Sequence, residues 1–238
     1  MKREYPSIRP VGEGAILVEY EPEVCLEVNL KVRRLAFRLE QYAYCEILEV
    51  LPAYRSVMVY FDPLKVQLKT IHSLIEQVMA EASSIELPAP RFFNIPTVYG
   101  GSYGPDLERV AACTKQAPEE VIRLFSSRRY PVYCLGFLCC LIYMAGVPEV
   151  LQVPRLRSPR PYIPAGSVGF AGPQANIIPV DTPSGLNYIG RTFVPIYNPR
   201  VSPPTPIRPG DYVKCKAVSE SEARLGANKV LGDFAESI

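Results

Sequence analysis

Five polar side chains and three glycines share one short region of this chain. Arg160, Ser167, Gln174, Arg191 and Thr192 lie between positions 159 and 192, and Gly166, Gly169 and Gly172 recur there every three residues. A guanidinium can hold a carboxylate or phosphate through two parallel hydrogen bonds. Ser, Thr and Gln side chains can donate and accept toward a small polar ligand. The glycine spacing is not the Gly-x-Gly-x-x-Gly of a dinucleotide loop, and no Gly-Lys-Ser or Gly-Lys-Thr ends it as a P-loop requires. It predicts tightly turned β structure, in which glycine permits positive φ or lets a second backbone or a ligand approach closely. The plainer uses of the same residues are a surface arginine between Pro159 and Pro161, and Ser167 and Gln174 satisfying backbone groups of the β structure.

Other chemistry-bearing residues stand more alone. Asp106 follows Gly104 and Pro105, and suits a helix start, where an acid meets the positive end of the helix dipole, better than it suits a general base. Tyr103, Tyr133 and Tyr143 can line a pocket or pack in a core. Cys139 and Cys140 are adjacent, without the Cys-x-x-Cys redox spacing and with no histidine near them in sequence, so packing in the apolar run 132–144 is their expected use. The one histidine, His72, falls on an N-terminal helix, and a structural zinc needs four ligands, so no metal site is predicted. Tyr54 and Arg55 fit a turn between strands or a contact with a partner or ligand.

These residues need elements to position them. Residues 15–20 read as a strand. Val28, Val32, Leu35 and Leu39 then fall on one helical face, and residues 45–50 and 57–61 read as two strands. Pro63 begins a second helix with a stripe of Leu68, Ile71, Leu74, Ile75 and Val78, and residues 91–98 read as a further strand. The order βαββαβ predicts a ferredoxin-like split βαβ domain over residues 1–92. Short helices open at Gly104-Pro105-Asp106 and at Ala117-Pro118. Beyond Tyr130, strand signals at 131–137, 167–171, 177–180, 193–196 and 212–215 alternate with turns, which predicts a closed β-barrel or a sandwich over residues 93–217. In 218–238, Gly226 and Gly232 weaken a helical reading, so this segment is expected to be a C-terminal tail.

Bulk properties narrow the classes of function. A net charge of +2, with no Lys/Arg run, argues against nucleic-acid binding. The longest apolar stretch, 132–144, is shorter than the roughly 20 residues of a membrane helix, and the N-terminus lacks the apolar core of a signal peptide. A cytoplasmic protein is expected. Seven cysteines, an odd number, suit no disulfide framework, and Cys25, Cys45, Cys113, Cys134 and Cys215 lie in apolar surroundings that predict reduced, buried thiols.

Several motifs occur together and in order: Gly12-Glu-Gly-Ala15, Pro52-Ala-Tyr-Arg-Ser56, Gly100-Gly-Ser-Tyr-Gly-Pro-Asp106, Leu135-Gly-Phe137, Pro159-Arg160, Ile163-Pro-Ala-Gly-Ser-Val-Gly169, Ala171-Gly172 and Gly190-Arg-Thr192. Over residues 8–216 the chain resembles the carboxyltransferase-like family, which includes the B subunit of 5-oxoprolinase, the KipI inhibitor of a sporulation histidine kinase, and allophanate hydrolase subunit 1. The resemblance implies a small α/β domain followed by a cyclophilin-like β-barrel. It implies a homologous partner, the KipA-like C subunit, plus an A subunit; together these open 5-oxoproline to glutamate with ATP. It also implies a pocket in which Arg160, Ser167, Gln174, Tyr143 and Thr192 bind a lactam or urea-type substrate. The alternatives it carries are a non-enzymatic inhibitor of a sensor histidine kinase and a urea carboxylase-related subunit. The chain departs from the family pattern at Phe125, where members carry a histidine, at Cys139-Cys140-Leu141-Ile142 and at Pro173 to Asn176. The loss of the histidine removes the side chain best suited to proton transfer near neutral pH.

Overall fold

The computed structural model describes residues 4–42 and 46–236. It divides into two units, Met1–Ala89 and Pro90–Ile238.

In the first unit, strands β1 (Ser7–Val11), β2 (Ala15–Glu19), β3 (Ile47–Pro52) and β4 (Ser56–Phe61) form an antiparallel sheet in the order β1-β2-β4-β3. Helix α1 (Leu26–Gln41) follows β2, and α2 (Leu68–Glu81) follows β4. Alternation puts Ile16, Val18, Val57, Val59 and Phe61 on one sheet face, against Val28, Val32, Leu35 and Leu39 of α1 and Ile71, Leu74, Ile75 and Val78 of α2. The helical stripes are those expected from the sequence. The unit β2-α1-β3 with β4 between its strands is the split βαβ of the ferredoxin-like class.

The fourth sheet position differs from the expectation. Strand 91–98 does not fill it; β1 does, through a five-residue hairpin register from Ser7↔Glu19 to Val11↔Ala15. A hairpin closes a far shorter loop than a return from α2, and so loses less chain entropy. Tyr54 and Arg55 sit in the turn between β3 and β4. Buried Asn29 of α1 donates to the carbonyls of Ala53 and Tyr54, and Arg55 donates to that of Tyr20.

The second unit runs β5 (Phe92–Tyr99), α3 (Leu107–Thr114), α4 (Pro118–Ser126), β6 (Tyr130–Gly136), β7 (Leu141–Ala145), β8 (Arg160–Ile163) and β9 (Ser167–Ala171). It continues through β10 (Gln174–Ile177), β11 (Thr182–Ser184), β12 (Asn187–Arg191), β13 (Tyr212–Ala217), α5 (Glu220–Leu225) and β14 (Ala235–Glu236). Seven strands close a barrel in the order β12-β9-β10-β7-β6-β13-β5, sealed where Gly190 and Arg191 pair with Tyr99 and Val98. Strands β8 and β11 form a separate two-stranded sheet.

Phe125 of α4 is fully buried in the core, with ring centroids 5.4 Å from Phe170 and 4.9 Å from Tyr130. Position 125, where the resemblance implies a histidine, is therefore an aromatic packing position in this chain. Burial also pushes the thiols of Cys134 and Cys215 up to about 12.

Four local expectations are corrected. The strand read at 177–180 is β10, which starts at Gln174 and stops at Ile177, before Pro179. Residues 193–196 are not a strand; Pro195 lacks a ladder donor, and β12 lies just before them. Cys113 is exposed, because it falls on the outer side of α3; Cys45 lies outside the described residues. The expected tail is packed structure. Ser219 and Glu222 form a capping box on α5, Gly226 ends that helix, Leu231 is buried, Phe234 packs on the barrel core and β14 pairs with β5. Among the described residues no helix is long and apolar enough to cross a membrane.

Phe125→Ala is expected to lower unfolding free energy by about 3–5 kcal/mol, read as a shift of the urea midpoint at unchanged m-value.

Candidate functional site

The site is built on a buried carboxylate. Asp106 stands at the start of α3 and is only 1% exposed, yet its side chain does not cap the helix. It accepts from both terminal nitrogens of Arg160, Nη1 to Oδ2 at 2.7 Å and Nη2 to Oδ1 at 2.6 Å. Oδ2 also accepts the backbone N–H of Tyr188 at 2.8 Å, and the Asp106 N–H returns a bond to the Tyr188 carbonyl at 3.0 Å. A fork-to-fork pair with a further backbone donor is the geometry in which a buried charge is well compensated. The start of α3, strand β8 and strand β12 meet at this carboxylate.

Beside the clamp, one row of residues crosses the barrel wall. The register pairs Tyr143 of β7 with Asn176 of β10, Asn176 with Gly169 of β9, and Gly169 with Tyr188 of β12. Gly169 is needed there because a Cβ would lie 2.6 Å from the Tyr188 ring and 2.5 Å from the Asn187 carbonyl. The Tyr188 hydroxyl donates to Ser184 Oγ at 2.7 Å. Ser184 is in turn the register partner of Arg160. The clamp thus places both members of the Tyr188–Ser184 pair. Burial pushes the Tyr188 phenol up to about 12 and that of Tyr143 upward, so both are neutral donors at ordinary pH.

Tyr143, Asn176 and Ser184 of this group line a pocket of about 430 Å³, while Tyr188 lies behind them. Arg155 and Thr182 add to its polar lining, and Phe137, Leu138, Leu141, Ile178 and Leu186 are among the apolar residues. The adjoining turn holds Phe137, Cys139 and Cys140 at φ of 58°, 43° and 63°, a left-handed region that costs ordinary residues energy. Burial and the neighbouring Cys139 push the Cys140 thiol up, which disfavours the nucleophilic thiolate.

The substrate-binding residues expected from the sequence do not converge. Tyr143 lines the pocket. Arg160 has its fork filled by Asp106. Ser167 is buried at the start of β9, and Thr192 Oγ1 accepts the Val194 N–H. Gln174 lies opposite Ala171, four residues along β9 from Ser167 and so roughly 13 Å away at ~3.3 Å per residue. Gly166, at φ +81°, lets the Thr192 carbonyl pass where a Cβ would sit 2.0 Å from it, so it serves backbone approach. Sequence reasoning missed Arg155, Asn176, Ser184 and Tyr188. Strand alternation puts Asn176 on the face of Gln174, but the cross-strand register that brings it to Tyr143 and Tyr188 is not written in any local pattern.

A closed seven-stranded barrel following a ferredoxin-like sheet, with a polar pocket on the barrel wall, defines a recognised class. The chain belongs to the family described as carboxyltransferase domain, subdomain C and D, whose model matches residues 6–207. It is 35% identical to the B subunit of 5-oxoprolinase from Bacillus subtilis over 225 residues, covering 90% of this chain and 94% of that protein. It is 38% identical to the B subunit of 5-oxoprolinase from Escherichia coli O157:H7 over 205 residues, covering 86% and 92%. The fold is shared with the Kluyveromyces lactis urea carboxylase, at a TM-score of 0.71 and 22% identity, over 95% of this chain and 22% of that one.

Two outcomes follow from this geometry. Arg160→Ala strands a buried carboxylate and is expected to lower unfolding free energy by about 3 kcal/mol, whereas Asp106→Asn costs less, because the partly exposed Arg160 regains water; urea midpoints of the two variants check the order. The second concerns alkaline pH. Unfolded, the Tyr188 phenol ionises near 10; folded, near 12. Its stabilising contribution is complete below pH 10 and is lost as pH rises through 12. Urea midpoints are expected to fall over that interval, and less steeply in Tyr188→Phe.

Proposed function

We propose that this chain is the B subunit of a 5-oxoprolinase-type amidohydrolase, which opens the ring amide of 5-oxoproline to glutamate together with a homologous C subunit, KipA-like, plus an A subunit. One observation carries the reading: identities of 35% and 38% to two proteins named as the B subunit of 5-oxoprolinase, over 90% and 86% of the chain. The pocket suits it. Its 430 Å³ falls in the range of about 300–1,000 Å³ usual for small-molecule sites, and a neutral Tyr143 phenol is a donor suited to a ring carbonyl.

An amide is unreactive toward water, and phosphorylation by ATP is a chemically sensible activation. The pocket of this chain does not fit ATP itself. Arg155 is the one cationic side chain lining it, and Gly166 and Gly169 pack against the chain's own backbone and Tyr188 ring rather than opening a phosphate cradle. We assign nucleotide handling to the partner proteins, and the complex to the cytoplasm.

The test is reconstitution with the A and C partners, reading phosphate release that depends on 5-oxoproline. Turnover is expected to require this chain, and Tyr143→Phe to lower kcat/KM by about 3- to 10-fold, the value of one neutral hydrogen bond. An assembled complex with no 5-oxoproline-dependent phosphate release would contradict the reading.

A further inference from the structure

Two arginines near the pocket differ in one respect. Arg160 gives both terminal nitrogens to Asp106. Arg155, five residues earlier, lines the pocket, and among the described residues no hydrogen bond or carboxylate engages it. Its charge reaches the phenols of Tyr143 and Tyr188, opposing the upward push of burial on each. Arg155 is exposed and lines the mouth of a half-apolar cavity, where a guanidinium with no counter-charge attracts an anion.

The second observation is on Asn176, which is 5% exposed. The Tyr188 hydroxyl gives its single proton to Ser184. The Asn176 Oδ1 is buried with no hydrogen-bond partner. A buried acceptor left in that state is unfavourable, and it calls for a donor from a ligand or water. Asn176 is itself among the residues that line the pocket, together with Phe137 and Leu138 of the adjoining turn.

An unmatched cation, an acceptor lacking a donor and the neutral Tyr143 phenol call for a small molecule with one carboxylate and one N–H. We propose that Arg155 is the carboxylate anchor and Asn176 the N–H acceptor of this pocket, so that the site selects a cyclic amide bearing a carboxylate over the same ring without one. The assignment rests on the proposed function for its substrate, and on the pocket alone for its chemistry.

The test compares 5-oxoproline with 2-pyrrolidinone, the same ring lacking the carboxylate, in the reconstituted enzyme. Arg155→Gln is expected to raise KM for 5-oxoproline about tenfold or more with kcat within about twofold, and to leave 2-pyrrolidinone unaffected. Arg157→Gln, at an exposed arginine outside the pocket lining, is the charge control and is expected to change neither. An unchanged KM, or an equal effect on both rings, overturns the anchor. For Asn176, the second comparison is 5-oxoproline against the lactone acid in which oxygen replaces the ring N–H. Asn176→Ala is expected to erase the preference for the lactam; a preference retained overturns that half. If the wild-type complex shows no turnover, the functional reading fails separately. Calorimetric titration of the full chain with 5-oxoproline then decides the anchor: binding weakened by Arg155→Gln supports it, and binding unaltered or absent in both overturns it.

Discussion

The buried carboxylate of Asp106 is the constraint on which the site depends. It accepts from Arg160 twice and from the Tyr188 N–H once, joining residues 54 and 82 positions away in sequence. A carboxylate at 1% exposure is tolerable only with that full set of donors. Its demand for partners fixes the start of α3 against β12 and draws β8 into place. Because Ser184 pairs in register with Arg160, and Tyr188 is held by its own N–H, the two hydroxyls that meet at 2.7 Å are both positioned by one charge. The functional side chains of the pocket are therefore supported from beneath by an interaction that takes no part in it.

The barrel adds the second requirement, a flat stretch of wall. Interior positions on β7, β9 and β10 carry Ile142, Met144, Val168, Phe170, Ala175 and Ile177 for the core. The alternate positions face outward and are free to differ. Gly169 leaves room for the Tyr188 ring, and Asn176 and Tyr143 fill the places beside it. The stretches 139–142 and 173–176, where the resemblance implies other residues, lead into or contain these outward positions. Tyr143 and Asn176 are cross-strand partners, so changes on the two strands bear on the same pocket.

What is legible in the sequence follows the range of the forces involved. The stripes of α1 and α2 are local and periodic, and both helices form where the stripes lie. Strand β9 has the bounds read from its composition, since Gly166 and Gly172 punctuate it. Strand β1 is not legible, because it is short and mostly exposed and exists by pairing with β2. Arg160 is rightly singled out as a forked binder, but its ligand is internal; nothing local distinguishes it from Arg155, which carries no such partner. Asn176 reads as one more polar residue in a turn-rich stretch. Its importance depends on Tyr188 and Ser184, which reach it only after the barrel closes and the β8–β11 ribbon is laid beside it. The C-terminal segment misleads for a related reason: Gly226 ends a short helix, Gly232 lies in a 3-10 turn, and the chain beyond them pairs with β5.

A small, half-apolar pocket with one unmatched cation separates two tasks in the proposed complex. Under that proposal this chain recognises the substrate, and the nucleotide chemistry belongs to its partners. The most direct measurement is a crystal structure of the chain with 5-oxoproline bound. The account predicts the ligand in the pocket beside Tyr143, its carboxylate at about 2.8 Å from the Arg155 guanidinium and its ring N–H on Asn176 Oδ1. A ligand held instead near Arg160, Ser167 or Gln174, with this pocket unaltered, would contradict it.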